Sequence, residues 1–146
     1  MRAQTKPFGE IEVSEKQRLE FAEGLFGFED LKSYVLLDAS QKPFYWLQSL
    51  DRPAVAFVLL DPRVFMSEYR LDVAEEDLQA IGIQGPEEAL DFAIVTVPAD
   101  SREMTANLQG PIVVNRSTRS ARQCISRIPE YAVKHRIMDS VAARRR

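Results

Sequence analysis

From Phe8 to Ile128 the sequence keeps returning to one pattern: a short run rich in aromatic and branched side chains, then a proline, glycine or polar turn signal. "FGEIEV" and "RLEF" alternate apolar and polar positions, the period of a strand with one buried face. "YVLLD", "FYWLQS" and "AVAFVLLD" are short, β-prone and bounded by turns. "QKP" and "DRP" make those turns, because proline fixes its own φ and restricts the residue before it. "DFAIVTV", "MTANL", "PIVVN" and "ARQCISRI" continue the series, with Gly110-Pro111 read as the break between two strands. Seven or more short strands at spacings of ~8–12 residues define a mainly β, compact, antiparallel β-barrel-like single domain. Regular strand–helix alternation is missing, which argues against a doubly wound parallel sheet.

Helices are few. The one clear helical signal starts at Asp72, where Asp72 and Glu75 resemble a capping box, with Leu78 and Ile81 apolar and Gly82 as the stop. "EGLFGF" reads as a loop leading into a short helical turn at "FEDLKS", and "GPEEAL" as a further short turn. "FMSEYRLDV" alternates like a strand. The domain spans 1–136. Residues 137–146 read as a basic tail whose last residues fray.

The chain has 146 residues and a single cysteine, Cys124, so no internal disulfide can form, and no apolar run approaches a membrane span. The N-terminus lacks the apolar core of a secretory signal. These features place the protein in the cytosol.

A net charge of −3 conceals a gradient: residues 61–100 carry 2 basic and 10 acidic side chains (net −8), and 101–146 carry 10 and 3 (net +7). Either the fold keeps these charges apart, creating a field a partner can feel, or the two segments pair with each other.

Catalytic chemistry finds little to use. His135 is the only histidine, flanked by Lys134 and Arg136 and read as a surface residue; Cys124 alternates with its neighbours like a small core hydrophobe. No phosphate-binding glycine motif and no nucleophile elbow occur. The Gly-x-x-Gly of "GLFG" is too common to signal nucleotide or RNA binding. No metal or cofactor is expected. RNA binding through the basic C-terminal third, and a hydrolase-like enzyme with a pocket that sequence does not reveal, are the alternatives. A binding role fits better. In "PFYWLQS" alternation sends Tyr45 opposite to Phe44 and Trp46, so one of the two faces is a candidate interface.

The segments "LEFAEGLFGFEDLKSYVLLD", "PFYWLQSLDRPAVAFVLLDP" and "MTANLQGPIVVN", followed by "ARQ" at 121–123, together resemble the flagellar assembly factor FliW family over roughly Phe8 to Arg136. Thr105, Asn107, Pro111 and Asn115 carry the signature, with the asparagines expected to tie loop backbone. Phe26 stands where the resemblance leads one to expect proline. The resemblance implies a β-barrel-like protein without catalysis. It implies two protein partners, flagellin and the RNA-binding translational repressor CsrA, with no direct nucleic-acid or membrane contact. CsrA must be basic, so Glu68, Asp72, Glu75, Glu76 and Asp77 are the candidate CsrA-facing surface. Tyr45, Phe65 and Tyr69 are the candidate apolar surface for flagellin.

Overall fold

In a computed structural model, residues 1–144 are described. A hairpin comes first, β1 (Arg2–Thr5) and β2 (Gly9–Glu12). A meander follows: β3 (Arg18–Phe21), β4 (Ser33–Asp38), β5 (Tyr45–Ser49) and β6 (Ala56–Leu60). After helix α1 (Glu75–Ala80) come β7 (Ala89–Thr96), β8 (Thr105–Asn115), β9 (Ser120–Gln123), β10 (His135–Arg136) and helix α2 (Ile137–Arg144).

Strands β3 to β9 pair in the cyclic order β3-β4-β5-β6-β7-β8-β9-β3, a closed seven-stranded barrel with β10 added beside β8. All pairings are antiparallel except β3 with β9, which run parallel where Glu20 meets Ser120 and Phe21 meets Ala121. Closure removes the open edges that would invite pairing with other chains.

Alternation sorts each strand's side chains. Tyr34, Leu47, Leu59, Phe92, Ile112 and Val114 face the barrel interior with Leu19 and Phe21. The opposite face is not left to solvent. The β1–β2 hairpin sets Ala3 and Val13 against Val35 and Leu37, with Trp46 beside them. Phe65, Tyr69 and Ile137 cover Leu60, Ala93, Val95 and Ala106. Ile81 and Ile83, with Leu78 beside them, cover Val113 and Cys124.

Several segments fold differently from their local pattern. "FMSEYRLDV" is not a strand: it follows a 3-10 turn over Pro62–Val64, and only Val73 makes a bridge, to Ser126. It is a coil lying along the barrel wall that buries every fourth side chain, Phe65, Tyr69 and Val73. "FEDLKS" forms tight turns rather than a helical one, joined by a Leu25–Phe28 bridge. α1 begins at Glu75 with Ala74 as its cap residue and no side-chain cap bond. Asp72 instead pairs with Arg127, whose Nε and Nη2 donate to Asp72 Oδ1 at 2.9 and 2.6 Å.

Gly110-Pro111 also departs from its local pattern. β8 runs unbroken through it for 11 residues. Phe92 pairs with Ile112 and Ile94 with Asn107, so Leu108–Pro111 oppose the single residue Ala93. The dipeptide makes a wide bulge, not a break. Asn107 Oδ1 ties it by accepting the Gln109 and Gly110 N–H groups at 3.1 and 2.8 Å. At Gly110 a Cβ would lie 2.9 Å from Gln123 Nε2, which donates to the Gly110 carbonyl, so a larger residue would have to displace the side chain that holds the bulge.

Residues 137–144 are not a frayed tail. Ile137 is buried, and Val141 packs beside it. Arg145 and Arg146, and the side chain of Arg144, fall outside the described residues, and with them the expectation about the terminal arginines.

Candidate functional site

Where the α1 segment and the loop after β6 meet the barrel, they leave a groove of about 1080 Å³. Its apolar lining comes from Leu36 on β4, Tyr45 on β5, and Leu90 and Phe92 on β7, joined by Leu71 and Leu78 from the α1 side. Tyr45 points toward the barrel interior and meets Phe92 edge-on at 5.6 Å between centroids. Tyr45, Leu36, Leu71, Leu78 and Leu90 are half-buried, so each keeps apolar surface in reach of a ligand.

One wall is built on a half-buried arginine. Arg63 Nη1 donates to both carboxylate oxygens of Asp91, at 3.1 and 3.2 Å, and to Asp61 Oδ1 at 3.3 Å. Its guanidinium lies 5.4 Å from the Tyr69 ring centroid, within cation–π range. Burial pushes the Asp91 carboxyl above its ordinary range, against the pull of Arg63. Arg63 Nη1, shared between the two Asp91 oxygens, supplies the buried carboxyl with a cationic partner. Tyr69 stacks on Tyr131 at 4.8 Å, and burial raises its phenol well above the usual value.

The groove unites four of the sequence candidates, Tyr45, Tyr69, Asp72 and Glu75. Tyr69 contributes a wall rather than an anchor, since it is only 4% exposed. Phe65 is 1% exposed and belongs to the core under α2, where it stacks on His135 at 5.6 Å; it offers no surface to flagellin. Burial of such a ring is worth about 1.5–3 kcal/mol to the fold. Among the acids, Glu68, Glu75 and Glu76 are exposed and form no ion pair among the described residues. Asp72 and Asp77 are neutralised by Arg127 and Arg122, at 2.6 and 2.9 Å. The two oppositely charged segments therefore partly pair, and the free acidic face narrows to Glu75 and Glu76, with Glu68 on the preceding loop.

The signature residues of β8 have structural work. Asn115 is buried; its Nδ2 donates to the Ile81 carbonyl at 2.9 Å, and its Oδ1 accepts the Ser117 and Thr118 N–H groups. Thr105 and Pro111 lie in the strand itself. Cys124 is 1% exposed and burial pushes its thiol up to about 12, so it is a core residue. His135 is not a free surface residue: its Nε2 lies 2.6 Å from Ser140 Oγ, and burial lowers its pKa. Among the described residues no group of three or more His, Cys, Asp or Glu side chains could hold a metal ion, and no helix is long and apolar enough to cross a membrane.

Sequence reasoning missed Arg63, Asp61, Asp91, Leu71, Leu90, Arg70 and Arg116. One signal was present: Asp91 is a lone carboxylate inside the apolar run "ALDFAIVTV", and such a residue needs a partner.

Fold and groove define a class, the small closed β-barrel whose recessed feature is an apolar groove edged by charge. The chain belongs to the FliW protein family, which matches residues 2–137. It is 45% identical over 141 residues to the flagellar assembly factor FliW of Leptospira interrogans serovar Lai, covering 95% of this chain and 94% of that one. It is 38% identical over 143 residues to the flagellar assembly factor FliW of Treponema denticola, covering 98% and 97%. A crystal structure of the flagellar assembly factor FliW superimposes with a TM-score of 0.85 at 36% identity, covering 94% of this chain and 96% of that one.

Proposed function

We propose that the protein is a cytosolic, non-enzymatic flagellar assembly factor that holds flagellin in the groove and engages the translational repressor CsrA through the acidic turn of α1. In this reading flagellin occupies the factor while it accumulates. Export frees the factor to bind CsrA and relieve repression of the flagellin message. The observation that carries the reading is the groove: half-buried Tyr45, Leu71 and Leu90 give an apolar bed to a loose, helix-forming segment. Glu75 lines the groove and Glu76 adjoins it. A CsrA dimer seated on that turn would therefore crowd a groove occupant.

The test is titration of the purified protein with flagellin and with CsrA, separately and in competition. Tyr45→Ser with Leu71→Ser should weaken flagellin binding by about tenfold or more. Glu75→Lys with Glu76→Lys should slow CsrA association, most visibly at low salt. Undiminished flagellin binding by the first pair removes the groove as the flagellin site. An unchanged CsrA association rate at low salt removes the acidic turn.

A further inference from the structure

The groove's charges balance on paper: Asp61, Asp72, Glu75 and Asp91 against Arg63, Arg70, Arg116 and Arg127. They are not equally free to meet a ligand. Arg63 is committed to Asp61 and Asp91, and Arg127 to Asp72. Arg70 has no side-chain partner among the described residues. Arg116 spends only its Nε, on the Glu87 backbone carbonyl at 3.2 Å. Both are exposed. Of the lining carboxylates only Glu75 is left without an ion pair. Arg63 is one cation shared by two carboxylates, so the lining stays neutral as a whole, but Arg70 and Arg116 are its two guanidinium groups without a carboxylate partner among the described residues, and they stand above an apolar floor.

Arginine is suited to this position. Its planar guanidinium offers paired N–H donors that match a carboxylate, and it is more weakly hydrated than an ammonium group. A polyanion is a poor fit, because four carboxylates line the same groove. An apolar segment carrying a few carboxylates satisfies both the floor and the rim.

We propose that Arg70 and Arg116 are specificity residues that select an acidic amphipathic segment for the groove, taking its carboxylates at the rim while its apolar face lies on Tyr45, Leu71 and Leu90. The inference rests on the reading that flagellin occupies the groove, and it adds the charge of the segment that is held. It also gives the two partners opposite electrostatic signatures on adjoining surfaces: an acidic segment in the groove and a basic protein on the α1 turn.

The test uses the full chain and purified flagellin monomer, titrated at low and high salt. Arg70→Glu with Arg116→Glu should weaken flagellin binding about tenfold or more at low salt and flatten its salt dependence. Arg70→Gln with Arg116→Gln should fall between that and the unaltered protein. Neither position carries a buried contact, so thermal melting should stay near that of the unaltered chain. If the charge-reversal pair binds as the unaltered chain does, while Tyr45→Ser with Leu71→Ser binds weakly, the groove reading stands and the charge inference is overturned. If neither pair alters binding, both fall. Capture of a single-stranded RNA oligonucleotide that depends on the two arginines, without such dependence for flagellin, also overturns the inference.

Discussion

Replacing Asn115 by alanine removes three hydrogen bonds at once, and they are not equal. Two of them, from the Ser117 and Thr118 N–H groups to Oδ1, sit at an exposed turn. Water can replace Oδ1 there, so each is worth about 0.5 kcal/mol, the low end for a net hydrogen bond. The third, from Nδ2 to the Ile81 carbonyl at 2.9 Å, is buried. Its loss orphans a carbonyl at the end of α1, at a cost of about 1–3 kcal/mol. The sum is about 2–4 kcal/mol, or a fall in Tm of roughly 4–16 °C at ~2–4 °C per kcal/mol for a chain of this size. Asn115→Asp separates the terms. It keeps the acceptor for Ser117 and Thr118 but sets a carboxylate oxygen against the Ile81 carbonyl. At pH 7 it should be at least as destabilising as alanine. As the pH falls toward 4 it should recover relative to alanine, because a protonated carboxyl can donate. Urea titration of the three proteins at both pH values reads this directly. Alanine within about 0.5 kcal/mol of the unaltered protein, or aspartate more stable than alanine at pH 7, would refute the assignment of the buried bond.

Gly24→Ala and Gly27→Ala should differ although both glycines have positive φ. At Gly24 (φ +68°) a Cβ would lie 2.6–2.7 Å from backbone atoms of Phe28 and Glu29, whereas at Gly27 (φ +87°) nothing lies within 4 Å. Gly27→Ala should cost about 1–2 kcal/mol from strain alone and Gly24→Ala distinctly more, judged by denaturant midpoints. His135 gives a pH prediction. Burial lowers its folded-state pKa below the ordinary 6.5, so the folded state prefers the neutral ring. Its contribution is then fully present above pH 6.5 and declines as the pH falls below that. Amide protection factors in 137–144, which correct for the intrinsic pH dependence of exchange, should fall as the pH drops below 6.5, and His135→Gln should flatten that trend; an unchanged slope would count against the histidine.

Strands were legible from residues alone: β2 and β3 lie where alternation put them, and β4, β5, β6 and β7 follow apolar runs bounded by turns. β1 and β10 span four and two residues, too short to rise above chance. α2 was hidden because its apolar contacts, Ile137 and Val141, depend on a barrel wall assembled from distant strands. Gly110-Pro111 was misread because the dipeptide favours turns locally, while pairing on both sides, to β7 and β9, holds the strand together. The groove was only partly foreseen. Tyr45, Tyr69, Asp72 and Glu75 reach it, yet it is lined from Leu36 to Arg127, and no local pattern connects those positions. The pairing of Asp72 and Asp77 with arginines fifty or so positions later likewise had no local signal.

The parallel pairing of β3 with β9 has a consequence for how the chain is made. Its partners, Glu20 with Ser120 and Phe21 with Ala121, are one hundred positions apart. Every other seam of the barrel joins strands consecutive in the chain, so β3 to β6 can zip up as they are synthesised. The ring stays open, with the β3 edge unsatisfied, until residue 121 has been translated. A growing chain is therefore a curved ribbon with one sticky margin for most of its synthesis. Closure would be the late, slow event, because the loop entropy of that long connection must be met before its contacts form.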